Sequence, residues 1–211
     1  MDLYFSPLAC SMATRIALYE AGAPADFMEV DGKVKRTRDG ADFIAVNPLG
    51  LVPVMRTDDG QLLTENTAIL QYVAERFPKA RLVPDDAWAR HRLRQWLSFF
   101  STELHKAIYI PLLDHNAPAA VKDYTLQKAK TPLEYLSRYL DGREYLLDQF
   151  SIADGYLFTV LNWSSATPID LKDWPVLYDY YKRMRQRPSI SKALDEERAL
   201  YAAEQERHKA A

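Results

Sequence analysis

The spacing of apolar and polar positions changes once along this chain. Up to about residue 77, short apolar runs alternate with short amphipathic ones, and from residue 84 onward apolar positions recur at helical spacing with no convincing strand. In the first stretch, residues 2–5 read as a strand and 11–21 as a helix (Ala13, Ile16, Ala17, Leu18) closed by Gly22. Residues 26–30 read as a second strand, 33–38 as a basic loop, and 37–46 as a weak helix stopped by Asn47-Pro48. A third strand at 52–57 meets the hairpin signal Asp58-Asp59-Gly60, and 61–63 returns as a fourth. Thr64 or Glu65 then opens a helix carrying Ala68, Ile69, Tyr72 and Val73, ended by Phe77-Pro78. The order βαβαββα predicts a sheet with helices on its faces.

The second stretch is helical throughout. One long pattern covers 86–113 and stops around Pro111; a second covers 117–140, with Pro132 expected to kink or split it. A third covers 151–167, opened by Ser151-Ile152-Ala153-Asp154, a capping box with Asp in the place of Glu. A fourth covers 174–187, and a charged last helix covers 189–205 with a tail from Arg207 expected to fray. The boundary between the two textures falls at 78–85.

Composition narrows the function classes. The chain has 211 residues, enough for one domain or two small ones, and 27 basic residues against 29 acidic ones leave a net charge of −2. That balance gives no electrostatic reason to expect nucleic acid or an anionic membrane as a partner. One cysteine excludes an internal disulfide framework and a cysteine-rich metal site. The four histidines (His91, His105, His115, His208) show no metal spacing, so no metal is expected. No apolar run reaches the length of a membrane span, and no signal peptide is recognised, so a soluble cytoplasmic protein is expected. Phosphate loop, nucleophile elbow and dinucleotide fingerprint are all missing from the sequence.

Candidate chemistry gathers around five features. Cys10 sits where the first strand hands over to the first helix, and the helix dipole and unpaired first-turn amides there favour thiolate over thiol; a small buried hydrophobe is the alternative. In Leu51-Val52-Pro53-Val54 a proline enters a strand: either an ordinary edge strand begins there, or a cis bond turns the Val52 backbone outward to pair with an extended peptide ligand. Glu65 and Asn66 lie in the first turn of a helix, where they could cap it or hold a ligand ammonium. Lys35 could meet a ligand carboxylate or belong to a solvated loop. Finally, at 100° per residue, Ser98, Thr102, His105 and Tyr109 share one arc of the long helix, and Trp96, Phe100, Leu104 and Ala107 share another. The second arc reads as core; the first reads as a cleft wall or a solvent-facing stripe.

Together these residues resemble the cytosolic glutathione transferases, most closely the bacterial beta class. The resemblance runs nearly end to end, through Leu3 to Ser11, Asn47-Pro48 with Gly50, Val52-Pro53-Val54, Leu63-Thr64-Glu65, Ala68-Ile69, Trp96-Leu97, Thr102-Glu103-Leu104-His105-Lys106 and Phe150-Ser151-Ile152-Ala153-Asp154. It implies an α/β plus all-α protein: an N-terminal thioredoxin-like βαβαββα domain over 1–79 that binds glutathione, and a C-terminal helical bundle over 86–211. Carried over residue by residue, Cys10 lies beside the glutathione sulfur, with Ser11 and His105 as candidate donors to it. Val52, with Pro53 cis, pairs with the cysteinyl unit; Glu65 and Asn66 hold the γ-glutamyl end and Lys35 the glycyl end. Ser98, Thr102, Glu103, Leu104 and His105 occupy helix positions that line the glutathione site in beta-class enzymes. An apolar co-substrate is implied near Leu8, Tyr109 and Trp163, and the Ser151–Asp154 box carries a structural role.

The implied activity is conjugation of glutathione, as co-substrate, to a small hydrophobic electrophile, by a homodimer of the detoxification type. Two other readings stay open: a monothiol-disulfide reductase or peroxidase working through a Cys10 mixed disulfide, and a non-catalytic binding or regulatory protein. The chain departs from the family pattern at Phe5, where many relatives have tyrosine, at Leu49 and Leu51, at Ser98 and Gly155, and in a charged tail that runs past the usual end.

Overall fold

A computed structural model describes residues 1–210, and its contacts group them into two compact units. The first comprises Met1–Leu82 together with residues 188–210, and the second comprises Val83–Arg187. The last helix therefore groups with the sheet, where the sequence reading put it with the helical half.

In the first unit, strands β1 (Asp2–Phe5), β2 (Asp26–Asp31), β3 (Arg36–Thr37), β4 (Val54–Arg56) and β5 (Leu62–Thr64) form one sheet in the order β3-β2-β1-β4-β5. The β1–β2 pair is parallel and the other three are antiparallel. Alternation along β1 divides its side chains between two faces. Tyr4 packs with Val30, Phe43 and Val54 on one face. Phe5 joins Phe27 on the other, where the Arg15 guanidinium lies 4.2 Å and 4.0 Å from their ring centres. Burying a side chain of the size of Phe5 is worth about 2 kcal/mol, which fixes the register of this short strand. Arg15 belongs to helix α1 (Ser11–Glu20), and helix α2 (Asn66–Arg76) follows β5.

The helix expected over 37–46 is a single 3₁₀ turn, Phe43–Ala45, with the Asp42 side chain accepting from the Ile44 amide. Gly40 and Asn47-Pro48 leave too few residues between them for more, and Arg36–Thr37 pairs with β2 instead.

The second unit holds helices α3 (Ala87–Phe99), α4 (Ile110–Leu113), α5 (Ala119–Leu140), α6 (Ile152–Asn162) and α7 (Pro175–Arg185). Helix α5 runs through Pro132 without splitting. Between α3 and α4 the chain is π-helical over Phe100–Tyr109, and the Ile110 amide that ends it donates to the His105 carbonyl, five residues back. Trp96 anchors the core, stacked on Phe100 at 5.7 Å and tilted against Tyr139 at 4.5 Å. The Ser151–Asp154 capping box forms, and the fully buried Asp154 also accepts from the Leu146 amide (3.0 Å) and the Tyr180 hydroxyl (2.8 Å). Burial holds the Asp154 carboxyl above the usual carboxylate range against the pull of those donors.

Helix α8 (Pro188–Ala210) joins the sheet unit through polar contacts. Glu197, fully buried, meets Arg15 Nε at 2.9 Å and accepts from the Leu8 amide at 2.7 Å. The tail expected to fray from Arg207 stays helical through Ala210, with its start tied to β2, as Arg207 pairs with Glu29 and His208 Nε2 lies 2.6 Å from Asp31 Oδ2; Ala211 lies outside the described residues.

Candidate active site

Five backbone irregularities build the sheet-side site. Leu8 adopts φ 61 in the turn from β1 to α1, and its amide is held by Glu197. That turn delivers Cys10 to the N-cap position of α1, where its side chain makes no capping bond. The thiol instead donates toward the Val52 carbonyl at 3.5 Å, and only 9% of the residue is exposed. The Val52–Pro53 bond is cis, and the ladder of β4 begins only at Val54, so the Val52 peptide groups lie outside the sheet pairing.

Lys35 (φ 55) sends its ammonium to the Gly50 carbonyl at 3.0 Å, two residues from Val52. Gly50 has φ 62, which L side chains rarely adopt, and a Cβ there would press on Ile44 Cδ1 at 3.0 Å and Lys35 Cδ at 3.2 Å, so a larger residue at this crossing is strained. Glu65 stands at the N-cap of α2 with φ 66 and makes no capping bond with its side chain. A non-glycine residue in that region carries strain of order 1 kcal/mol, and the capping alternative does not account for it. Asn66 is buried; its carbonyl oxygen accepts from Thr14 Oγ1 at 3.0 Å, while its Nδ2 has no partner. A buried amide with two free protons is a donor waiting for an acceptor. Ser11 is fully buried, and its hydroxyl spends its proton on the Ser6 carbonyl at 3.3 Å, closing the β1–α1 turn.

In the helical unit the four-residue polar stripe does not hold together. Ser98, Thr102 and Glu103 are exposed, whereas Leu104, His105 and Tyr109 are buried and Ala107, expected in the core, is exposed. The cause is the π-helical stretch: its turns are wider than 3.6 residues, so positions projected at 100° fall on different faces. Thr102 Oγ1 lies 3.1 Å from the Ser98 carbonyl and from Glu103 Oε1. His105 is pinned by Tyr156, whose hydroxyl is 2.9 Å from Nδ1, and by Trp163 at 4.8 Å between ring centres. Burial first, then the Lys106 charge, lowers the His105 pKa to about 4. The imidazole is therefore neutral near pH 7, carries one N–H, and shares a proton with the Tyr156 hydroxyl at Nδ1. Tyr109 donates to or accepts from Ser164 Oγ at 2.7 Å, packs edge-on to Trp163, and is held well above the usual phenol range by burial.

Sequence reasoning missed the supports. Thr14 orients Asn66, Tyr156 fixes His105, and Glu197 holds the Leu8 turn. Thr14 was accessible as the polar residue one helical turn after Cys10; Glu197, 187 positions further on than Cys10, offered no local signal.

A mixed sheet with a cysteine at the start of its first helix and a cis-proline entering β4, followed by an all-helical unit, defines a thioredoxin-like domain joined to a helical domain. Two family matches carry this further: the glutathione S-transferase N-terminal domain over residues 9–76 and the glutathione S-transferase C-terminal domain over 99–188. The chain is 38% identical to glutathione S-transferase GstA of Escherichia coli O157:H7 over 199 residues, 93% of this chain and 98% of that one. A sphingomonad glutathione S-transferase solved in complex with glutathione superposes with a TM-score of 0.89 at 40% identity, covering 93% and 98% of the two chains. The beta-class enzyme of Sphingomonas chungbukensis gives 0.89 at 41% identity with the same coverage. The chain belongs to the glutathione S-transferase family.

Proposed function

We propose that the chain binds reduced glutathione on its sheet unit and conjugates it to a small hydrophobic electrophile. The observation that carries this reading is the meeting of Cys10 Sγ with the Val52 carbonyl beside a cis proline. An extended tripeptide pairing with the Val52 backbone, outside the ladder, puts its cysteinyl sulfur next to Cys10. Glu65 takes the γ-glutamyl ammonium, the two protons of Asn66 Nδ2 and the first amides of α2 take its carboxylate, and Lys35 takes the glycyl carboxylate.

The reacting thiolate belongs to glutathione. The N-terminus of α1 stabilises the negative sulfur, and Cys10 is its neighbour. Attack forms a carbon–sulfur bond with the sulfur lone pair, and the leaving group departs with the electrons of the bond it breaks. Holding both reactants together supplies the proximity contribution. His105 enters as a neutral N–H donor, because its lowered pKa removes it as a general acid near pH 7. Ser11 supports the turn that carries Cys10. Ser98, Thr102, Glu103 and Leu104 complete the proposed glutathione-binding set, and Leu8, Tyr109 and Trp163 are its proposed contacts to the acceptor. A homodimeric cytoplasmic enzyme is part of the same proposal; no described helix is long and apolar enough to cross a membrane.

Cys10→Ala tests the sulfur-neighbour role. The expected result is a conjugation rate reduced about tenfold or more, with glutathione still bound. Unchanged conjugation with intact binding contradicts that role. Incubating the parent chain with oxidised glutathione and weighing it intact separates the monothiol reading: a glutathione adduct on Cys10 favours mixed-disulfide chemistry over conjugation.

A further inference from the structure

One polar cluster lies outside the proposed active site. Its donors come from β2 and the last turns of α8, where Asp31, Glu204 and His208 each bring a nitrogen or oxygen within 4.8 Å of the others. We propose that these three residues bind one divalent transition-metal ion, zinc foremost, which clasps the end of α8 to the end of β2.

The donor set fits that chemistry. Zinc takes imidazole nitrogen and carboxylate oxygen at about 2.0–2.2 Å, and three protein donors leave a fourth position for water. Glu204 and His208 are four residues apart and share one face of α8, so the helix itself presents them as a pair, and Asp31 faces them from the end of β2.

Two groups in the cluster lack a partner. Glu204 is more than nine-tenths buried and makes no hydrogen bond or ion pair among the described residues. His208 Nδ1 is buried without a hydrogen-bond partner, while Nε2, on Asp31, is the nitrogen that faces the cluster. The Glu204 carboxylate oxygens reach solvent, and the ordinary partner for such a group, a nearby arginine, is engaged elsewhere: Arg207 pairs with Glu29, which Arg38 also approaches at 3.8 Å. Asp31 accepts from the Lys33 amide at 2.8 Å through Oδ1, which leaves Oδ2 for the His208 contact. A dication completes the compensation of the Asp31 and Glu204 carboxylates that His208 and Arg207 begin. On binding, the ion takes the place of the proton shared by His208 Nε2 and Asp31 Oδ2. That pair opens from 2.6 Å to about 3.3 Å, the edge of a tetrahedron with arms of about 2.0 Å. The displaced proton goes to solvent.

The spacing of histidines along the sequence gives no hint of this site because only one histidine takes part. Its ligands are split between positions 31 and 204–208, and folding alone joins them.

The experiment uses the full chain without glutathione, stripped by a chelator. Cobalt is titrated and followed by visible absorption, zinc by calorimetry, and thermal unfolding is recorded with and without zinc. Expected are one equivalent bound, cobalt d–d bands without a thiolate charge-transfer band, and a melting temperature raised by zinc. Glu204→Gln and His208→Asn each weaken binding by about tenfold or more and abolish the zinc-dependent rise, while His115→Ala leaves both intact. Should Glu204→Gln fail to fold, His208→Asn, in the last turns of α8, carries the comparison. The proposal is overturned by a parent chain that binds no cobalt or zinc saturably, by a thiolate band that assigns the ion to Cys10, or by binding that survives His208→Asn.

Discussion

The two units hold their chemical groups by different means. In the sheet unit the backbone does the positioning: Leu8, Lys35 and Glu65 sit at positive φ, Gly50 permits a close crossing, and a cis bond precedes Pro53. In the helical unit the candidate residues Leu104, His105 and Tyr109 lie on π-helical backbone, and side-chain packing does the positioning, as Tyr156 and Trp163 fix His105 and Ser164 fixes Tyr109. The positive φ at Leu8, Lys35 and Glu65 marks positions where stability is surrendered for geometry. A packed aromatic shell instead ties geometry to the core, so a change at the site there is also a change in folding.

The largest expected break in this contrast is Asp154→Ala in the helical unit. It strands the Leu146 and Ser151 amides and the Ser151 and Tyr180 hydroxyls in a dry interior. At 1–3 kcal/mol for each buried group left unpaired, a loss of about 3 kcal/mol or more is expected in denaturant unfolding, with no replacement partner in reach. A loss under about 1 kcal/mol contradicts the account.

Next in size is a pair of opposite pH responses. Burial lowers the His105 pKa from 6.5 to about 4, so the unfolded chain binds a proton there that the folded chain refuses. The stability tied to His105 is complete above pH 6.5 and falls away as the pH drops through about 4, by about 3 kcal/mol in all. Glu197 runs the other way. Burial, opposed by Arg15, raises it from 4.5 to about 7, so its contribution is complete below pH 4.5 and is lost as the pH rises through 7. Denaturant unfolding of His105→Asn should lack the acid-side slope between pH 6.5 and 4, and Glu197→Gln should lack the slope between pH 4.5 and 7. Unchanged slopes in both variants contradict the burial argument.

These contrasts explain what was legible in the sequence. Strands β1, β2, β4 and β5, helix α1, and the turns at Cys10 and Val52-Pro53 announced themselves through local signals: an Asp-Gly hairpin, a cysteine at a helix start, a proline entering a strand; β3, inside the basic loop at 33–38, did not. The expected helix at 37–46 failed because apolar residues in a bracketed loop mimic helical spacing. The polar stripe of Ser98, Thr102, His105 and Tyr109 failed for another reason: its projection assumed 3.6 residues per turn, and the π-helical segment changes the period midway. Contacts closed by folding, such as Glu197 on the Leu8 amide and the α8 tail on β2, leave no local trace at all.

The smallest expected effect isolates backbone strain. Glu65→Ala keeps the unfavourable φ and removes the carboxylate; Glu65→Gly removes both. The glycine variant should be about 1 kcal/mol more stable than the alanine variant, while both lose glutathione affinity alike. Equal stability would show that the positive φ carries no strain.

The central claim, a glutathione site built on Cys10, Val52 and the start of α2, is tested most directly by a crystal structure of the chain with reduced glutathione bound. The account predicts the glutathione sulfur next to Cys10, backbone pairing with Val52, and the γ-glutamyl group on Glu65 with Asn66 Nδ2 donating to its carboxylate. A tripeptide bound elsewhere, or one bound here with Asn66 Nδ2 still lacking an acceptor, would contradict it.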